Sequence, residues 1–341
     1  MEHYTLYHAD IPEVICDCAE APSMQRLKRV GMNCGCEYTA FARFAGLQPY
    51  SRYDHSLGVA LIVWHFTHDS AQAVAGLLHD VASPVFAHVV DFLHGDYLTQ
   101  ESTEDGTEEI IEHDAALQRT LHAYGLCTKD VCDYHRYPIA DNDSPRLSAD
   151  RLEYTLGNCL NYRIRTPGEV KAFYDDLAVA DAEDGQAELA FCTPSIAEDF
   201  TEAALACSKI YVSDEDRYAM QMLSEVLRLA LQRGALEESD LHSTEPQVIA
   251  KLERDETTAA AWRAFCACKT VLRAEAPQAD GAWRQIFAKK RYIDPLIKGV
   301  GRVCEADEAL RDAVEAFRAE PQTAWIAAAE TISDNRFLRT L

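Results

Sequence analysis

Residues 71–96 read AQAVAGLLHDVASPVFAHVVDFLHGD, and this stretch decides how the rest of the chain is interpreted. An apolar helical run leads directly into His79-Asp80, and the residues that follow the pair are apolar again. A carboxylate in such a segment needs a partner, because burying an unpaired charge is costly. A divalent cation would satisfy both side chains, since imidazole nitrogen and carboxylate oxygen both suit a borderline-hard metal. We therefore predict a metal site at this pair.

Two further His-Asp pairs are interpreted differently. His68-Asp69 lies in FTHDSAQ, a polar segment that is typical of a connection between helices, with Asp69 or Ser70 as the N-cap. His113-Asp114 lies in EEIIEHDAAL, on the acidic side of an amphipathic helix. Charged and polar residues in such surroundings are mostly exposed, so both pairs are predicted to be solvated.

Two more residues complete a ligand set for the metal. His55 stands at the start of an apolar helix in SRYDHSLGVALIV, and Asp150 stands in the first turn of another helix in LSADRLEYTLG. With His79 and Asp80 they offer two imidazoles and two carboxylates, which leaves coordination positions for water and substrate. Such an ion lowers the pKa of a bound water and withdraws charge from a phosphoryl oxygen. The sequence leaves the ion open among Mn, Mg, Fe, Ni, Co and Zn.

Composition and net charge argue against some classes of function. The chain has 341 residues, 48% of them hydrophobic, which is enough for one large domain or two ordinary ones. Its formal net charge of −24 argues against an extended nucleic-acid surface, because such a field repels a phosphate backbone. Neither a signal peptide nor an apolar run of membrane-spanning length is visible, and no C-x-x-C motif occurs. We expect a cytoplasmic protein with reduced thiols.

Apolar spacing of three and four residues predicts a helical protein. Helices are expected over 57–66, 70–80, 84–94, 106–124, 150–160, 195–211, 216–234, 247–275, 306–318 and 322–334. Asp184-Gly185 lies between two short alternating runs and predicts a hairpin near 177–191. A strand is expected over 288–297, where Pro295 ends or edges it. The predicted fold class is all-α, with a small β-hairpin and a minor C-terminal strand element.

The polar, acidic turn near 235–245 suggests a soft domain boundary. We predict a catalytic helical core over residues 1–240. Residues 241–341 are predicted to form a C-terminal helical region that contains the short basic strand and packs on the core.

The order His, His-Asp, Asp, with RYDHSLG around the first His and LLHD around the pair, resembles the HD-domain metal-dependent phosphohydrolases. The sequence most resembles the deoxynucleoside triphosphate triphosphohydrolase branch of this family. The resemblance runs in order over roughly residues 5–300, through APSMQRLKRVG, HDVASPVFAHVVD, ADRLEYTLGN, KIYVSDEDRYAMQMLSEVL and KKRYIDPLI. It implies a mainly helical HD-domain fold and metal-dependent hydrolysis of phosphate esters or anhydrides.

The resemblance also implies roles for individual residues, beginning with His55, His79, Asp80 and Asp150 as metal ligands. Arg52 would contact a substrate phosphate, and Arg151 stands where the family usually has a phosphate-contacting Lys. Tyr154 would pack on the sugar. His88 is the candidate general acid, and Asp91 would orient it.

The chain departs from the family at polar substrate contacts. Ser83 stands where the family has a His, and Gln100-Glu101 stands where it has His-Glu. Met32-Asn33-Cys34 replaces a Gln-Leu-Gly that reads the deoxyribose edge, and the loop Ser213-Asp214-Glu215-Asp216 replaces basic phosphate contacts. These replacements weaken the case for a triphosphate substrate and leave the metal ligands untouched.

The leading hypothesis is a phosphohydrolase whose partner is a nucleotide or another small phosphorylated substrate. The alternative is a catalytically weakened sensor or regulatory protein that binds metal and nucleotide, motivated by Ser83 and Gln100. A structural helical scaffold, the third possibility, would bind no metal. The resemblance also makes a homo-oligomer plausible.

Overall fold

The computed structural model describes residues 6–95, 106–278 and 283–330, and this part of the chain is mostly helical. Its α-helices are α1 (Glu13–Ala19), α2 (Pro22–Arg26), α3 (Arg52–Thr67), α4 (Ser70–Leu78), α5 (Val89–His94), α6 (Thr107–His113), α7 (Ala115–Ala123), α8 (Thr128–Val131), α9 (Ala149–Asn161), α10 (Pro167–Asp175), α11 (Pro194–Tyr211), α12 (Asp214–Gln232), α13 (Glu245–Leu252), α14 (Glu256–Cys266), α15 (Val303–Ala306) and α16 (Glu308–Ala319). Among these described helices, none is both long and apolar enough to cross a membrane.

Two small sheets accompany the helices. Their strands are β1 (Leu177–Asp181), β2 (Ala187–Phe191), β3 (Val271–Ala274), β4 (Arg284–Gln285), β5 (Leu296–Ile297), β6 (Gly301–Arg302) and β7 (Trp325–Ala328). One sheet has the order β1-β2-β5-β6 and the other β3-β7-β4. The mainly helical prediction is confirmed, but two sheets are more than the single hairpin and minor strand expected from the sequence.

The predicted hairpin is confirmed. Strands β1 and β2 pair antiparallel, with Leu177 opposite Phe191 and Asp181 opposite Ala187. Gly185 in the connecting turn has φ 79°, a left-handed conformation that favours glycine. The hairpin then extends into a four-stranded sheet, because β2 pairs in parallel with β5.

The C-terminal prediction was wrong in two places. The helix expected over 247–275 is divided into α13 and α14, and its last residues form strand β3. The helix expected over 322–334 contains strand β7, which pairs antiparallel with β3 and β4. Ile326, Ala327 and Ala328 of β7 are fully buried. Tertiary packing against neighbouring strands therefore overrides the helical propensity of this alanine-rich run.

Three other predicted elements are shorter or interrupted. Helix α5 begins at Val89, well after the expected residue 84, because Phe86 and Ala87 have positive φ angles of 59° and 45°. The helix expected over 106–124 breaks at Asp114, whose side chain caps α7. The expected strand over 288–297 is reduced to β5, directly after Pro295.

Helices α3, α4 and α9 form the part of the core that carries the predicted metal ligands. Their inward residues, among them Leu61, Leu77 and Leu156, are fully buried in one hydrophobic cluster. A second cluster joins α5, α12 and α14 to β7. The predicted division at residue 240 stays a prediction, as do the cytoplasmic location and the homo-oligomer.

Candidate metal centre

Four predicted ligands converge from three segments. His55 lies in the first turn of α3, His79-Asp80 directly follows α4, and Asp150 lies in the first turn of α9. His55 Nε2 is 3.0 Å from Asp150 Oδ1 and 3.9 Å from Asp80 Oδ2. His79 Nε2 is 3.6 Å from Asp80 Oδ2 and 3.7 Å from Asp150 Oδ1. We call these four residues the metal cluster.

Helix caps place two of the four ligands. Ser51 and Asp54 form a capping box at the start of α3, so the first turn that carries His55 is fixed. Ser148 accepts a hydrogen bond from the Arg151 amide at the start of α9 and fixes the turn that carries Asp150. The ligands are therefore held at well-defined helix ends.

The outer nitrogen of each imidazole is anchored. His55 Nδ1 is 2.5 Å from Glu153 Oε2, and His79 Nδ1 is 2.7 Å from the Gly76 carbonyl oxygen. Because a carbonyl oxygen can only accept, Nδ1 of His79 carries the proton and its Nε2 presents a lone pair. The Glu153 carboxylate favours the same tautomer of His55. Such contacts to the second nitrogen are the usual way in which proteins orient metal-bound histidines.

Glu153 is a residue of the site that was not predicted from the sequence. Its side chain is fully buried, and the hydroxyls of Tyr7 and Tyr50 both donate to it. Gly58 permits this approach, since a Cβ there would lie 2.6 Å from the Glu153 side chain. The sequence signal was available, because Glu153 faces the same way as Asp150, three residues earlier on α9.

Charges of opposite sign stabilise one another within the cluster. Burial favours a lower pKa for His55, but hydrogen bonds and charges from Asp150 and Glu153 outweigh it and raise this pKa to about 10. Burial also opposes ionisation of Asp80, yet Arg52, His79 and His55 hold its pKa well below the usual range. Asp150 likewise has a lowered pKa, because His55 and His79 outweigh the effect of its burial. Both carboxylates are therefore ionised and directed at the same small volume.

The donor set fits a divalent ion. Donor atoms of His55, His79 and Asp80 all lie within 4.8 Å of one another in the described part of the chain. Ligands of an ion bound at about 2.0 to 2.2 Å lie about 3 to 4 Å apart, which matches the separations in the cluster. Two imidazoles and two carboxylates suit Mn, Fe, Co, Ni or Zn better than Mg, which prefers oxygen alone.

Asp80 has two supporting partners. Arg52 Nη1 donates to Oδ2 at 2.7 Å, and the Ser83 hydroxyl donates to Oδ1 at 2.7 Å. Ser83, the departure from the family noted in the sequence, is thus part of the structure that holds Asp80. Arg26 fixes the same turn by donating to the carbonyl oxygens of Val81 and Ser83.

A cavity of about 900 Å³ opens beside the metal cluster. The predicted substrate residues Arg52, Arg151 and Tyr154 line it, together with His88. Asp91 is fully buried behind His88 and accepts a hydrogen bond from its Nδ1 at 2.8 Å. Burial lowers the pKa of His88, and the charges of Arg291 and Arg52 lower it further. The imidazole is therefore neutral at pH 7, with Nε2 left to accept a proton.

The two arginines differ in how they are engaged. Arg52 lines the cavity and is paired with Asp80, while its Nε is fully buried without a hydrogen-bond partner among the described residues. Arg151 instead contacts Asp141 through Nη1 at 3.1 Å and Asn142 through Nη2. Its guanidinium holds the 141–146 turn beside the metal cluster.

Other residues of the cavity were not singled out as site residues. His135 and Asp141 form a hydrogen-bonded pair at the cavity wall, with Nδ1 2.8 Å from Oδ2. Lys289 and Arg291, from the basic run in KKRYIDPLI, line the cavity as well. Gln100-Glu101, a substitution noted in the sequence, lies outside the described residues.

The two look-alike pairs have structural roles. Asp69 caps α4 by accepting from the Ala71 and Gln72 amides, as predicted, and His68 is exposed. Asp114 caps α7 and accepts two hydrogen bonds from Ser23. His113 is exposed, as expected for a solvated pair.

Comparisons with known proteins identify relatives and a shared fold. No family model matches the chain. The uncharacterized protein YdhJ of Bacillus subtilis is 26% identical over 257 residues, which cover 72% of each chain. The metal-dependent phosphohydrolase cns2 of Cordyceps militaris is 24% identical over 302 residues, covering 83% of this chain and 79% of that protein. The crystal structure of a phosphohydrolase from Bacteroides thetaiotaomicron superposes with a TM-score of 0.63 at 15% identity, over 94% of this chain and 96% of that one.

Proposed function

We propose that this protein is a metal-dependent phosphohydrolase of the HD type that releases phosphate from nucleotides. One observation carries the proposal. Four donor atoms from His55, His79, Asp80 and Asp150 converge beside a cavity of about 900 Å³, with the outer nitrogens of both imidazoles anchored. The relative from Cordyceps militaris, named a metal-dependent phosphohydrolase, and the fold shared with a phosphohydrolase structure support the same conclusion.

Bound at this cluster, a divalent cation would lower the pKa of water and withdraw charge from a phosphoryl oxygen. The protein's own cations would bind the rest of the phosphate. The cavity is lined by Arg52, Lys289 and Arg291. Arg151 acts through its contacts with Asp141 and Asn142, which position the wall beside Asp150. This arrangement suits a small phosphorylated ligand in an otherwise acidic protein.

The base or sugar ring of a bound nucleotide would have aromatic neighbours in the cavity. The cavity is lined by Tyr154, Tyr162 and Tyr211. The rings of Tyr154 and Tyr211 meet edge to face, with their centroids 6.3 Å apart. Aromatic faces and edges bind a base or sugar with little loss of conformational entropy. These contacts motivate a nucleotide as the substrate.

Several residues that differ from the triphosphohydrolase pattern also line the cavity. Met32, Asn33, Cys34 and Asp216 line it. Burial raises the pKa of Asp216 to about 8, so this carboxyl is largely protonated at pH 7, and its Oδ2 accepts a hydrogen bond from the Cys36 thiol. A neutral carboxyl is a poor substitute for a basic residue opposite a triphosphate, so we infer that fewer phosphates are bound than in the family's triphosphohydrolases.

His88 would move a proton in this reaction. Asp91 accepts the Nδ1 proton and leaves Nε2 as an acceptor toward the cavity. A neutral imidazole is suited to accept a proton from the attacking water, so we assign His88 the role of general base in place of the general acid implied by the resemblance.

A phosphate-release panel tests the proposal. Nucleoside mono-, di- and triphosphates are each incubated with the purified protein and with Mn, Mg, Fe, Ni, Co or Zn in turn. We expect phosphate release with at least one transition metal and none after chelation. Metal-dependent protection against heat by a nucleotide, without release under any condition, would instead support the sensor. Absence of both metal binding and nucleotide binding would contradict either function.

A further inference from the structure

The chain just before α9 is held by a glutamate from the four-stranded sheet. Helix α9 carries Asp150 in its first turn and is capped by Ser148. The Leu147 amide, directly before this cap, donates to Oε1 of Glu188 at 3.1 Å. Glu188 lies on β2, so a strand side chain contacts the chain three residues before a proposed metal ligand.

Glu188 is buried and paired on both of its carboxylate oxygens. It is only 1% exposed, and Arg302 of β6 donates from Nη1 to Oε1 at 2.6 Å and from Nη2 to Oε2 at 2.7 Å. Arg146 Nε lies 4.0 Å from Oε2 as well. A bidentate arginine fixes the plane of a carboxylate and balances its charge, without which burial would be costly. Arg302 therefore keeps Oε1 of Glu188 directed at the Leu147 amide.

Arg302 is anchored by other neighbours too. Its Nη1 donates to the Asp294 carbonyl oxygen at 3.0 Å, and its Nε donates to Glu183 Oε1 at 2.7 Å. The Asp294 amide in turn donates to the Pro145 carbonyl oxygen at 2.9 Å. The C-terminal part of the chain therefore holds the residues before α9 at two points, directly at Pro145 and through Glu188 at Leu147.

We propose that Glu188 is a positioning residue for the metal centre, an assignment that rests on the metal cluster of the proposed function. In the described part of the chain, Glu188 does not line the cavity beside this cluster. It acts by holding the Leu147 amide and, through it, the Ser148 cap. The first turn of α9 then keeps Asp150 Oδ1 3.0 Å from His55 Nε2. If this turn shifted, the four donor atoms would no longer converge, and the metal would bind more weakly.

Manganese affinity tests the role with a matched set of variants. Glu188→Met keeps an unbranched side chain of similar length but removes the oxygen that Leu147 needs, while Arg302 retains Glu183. Glu188→Gln keeps an oxygen that can accept from the Leu147 amide. We expect the dissociation constant for Mn²⁺, measured by electron paramagnetic resonance on the metal-free full chain, to rise about tenfold or more in Glu188→Met. It should stay within about threefold of the wild type in Glu188→Gln.

Glu183→Gln is the control, because Glu183 also pairs with Arg302 but has an exposed side chain and no contact with Leu147. Its Mn²⁺ affinity should equal that of the wild type. Hydrogen exchange of the metal-free protein gives a second measurement, on a peptide that covers residues 144–150. Exchange at the Leu147 amide should be faster in Glu188→Met and unchanged in Glu183→Gln, because only the first variant removes its acceptor.

The possible results separate this role from the proposed function. Unchanged Mn²⁺ affinity in folded Glu188→Met would overturn the role, and so would equal weakening in Glu188→Met and Glu188→Gln, which would point to the charge and away from the Leu147 contact. Thermal melting identifies folded variants, and Glu188→Leu replaces Glu188→Met if that variant does not fold. If the wild type binds Mn²⁺ but releases no phosphate, the proposed function fails while the affinities still decide the role of Glu188. A wild type that binds no metal would overturn both.

Discussion

Two groups of buried carboxylates line different cavities of the same fold, and their pKa values are shifted in opposite directions. The first belongs to the metal cluster, where Asp80 and Asp150 have lowered pKa values. The second, which we call the acid pair, consists of Glu37 and Glu245 and lines a separate cavity of about 930 Å³. Burial raises the pKa of Glu37 to about 7, helped by the charge of Glu245, whose pKa is raised by burial as well.

The difference comes from their neighbours. Asp80 is paired with Arg52 at 2.7 Å and faces two imidazoles, so its ionised form is stabilised. Glu245 accepts hydrogen bonds from the Gly31 amide and the Tyr38 hydroxyl, both neutral donors. Glu37 Oε2 is buried without a hydrogen-bond partner among the described residues. Burial without charged partners therefore favours the protonated form of a carboxyl group. Imidazole and guanidinium neighbours instead keep a buried carboxylate ionised, as a metal ligand must be.

Replacing Asp80 should have the largest effect. In Asp80→Ala we expect bound metal to fall to background and phosphate release to fall at least about 10³-fold, because the ion supplies several kcal/mol of transition-state stabilisation. Metal analysis by mass spectrometry and a phosphate assay measure the two quantities. His113→Ala, from a look-alike pair, should retain both. Full metal content in Asp80→Ala would overturn the ligand assignment.

Replacing Glu153 should weaken metal binding without abolishing it. Glu153→Gln removes the charge behind His55 Nδ1, and such changes weaken metal affinity by about 10- to 100-fold. Competition with a chromophoric chelator measures the affinity. Glu245→Gln, a buried glutamate of the acid pair, should change it less than about twofold. Similar affinities for both variants would show that the two groups do not differ as proposed.

Replacing Glu37 should change stability and its pH dependence. A carboxyl whose folded-state pKa is raised from 4.5 to about 7 stabilises the fold below pH 4.5 and loses that contribution as the pH rises to 7. Glu37→Gln should therefore raise the free energy of unfolding by about 2 kcal/mol at pH 8 and much less at pH 5. Urea unfolding at the two pH values measures it.

Exposed Glu315→Gln is the control for this titration and should stay within about 0.5 kcal/mol of the wild type at both pH values. An equal gain for Glu37→Gln at pH 5 and pH 8 would mean that the carboxyl does not titrate in this range.

Replacing Asp114 should have the smallest effect. Asp114→Ala removes the cap of α7 and should lower the free energy of unfolding by about 1 kcal/mol, with metal content and phosphate release unchanged. Thermal melting together with metal analysis checks both parts. Loss of metal from this variant would place a functional role in a pair that we interpret as structural.

The convergence of His55, His79, Asp80 and Asp150 could be predicted from the sequence better than the surroundings of these residues could. His79-Asp80 could be distinguished from the other two His-Asp pairs because its apolar flanks indicate burial. The helices that carry His55 and Asp150 begin at recognisable cap residues. Strand β7 could not be predicted, since Trp325–Ala328 pairs with β3 and β4 from elsewhere in the chain. His135 and Asp141 were missed because their turn is irregular, and their convergence with the cluster depends on the stacking of Tyr134 on His79.

Anomalous diffraction from crystals grown with manganese tests the central claim most directly, because it locates the ion without relying on activity. We predict a peak about 2.0 to 2.3 Å from His55 Nε2, His79 Nε2 and one carboxylate oxygen each of Asp80 and Asp150. No peak should lie between Glu37 and Glu245. A peak at the acid pair, with none at the metal cluster, would contradict the account.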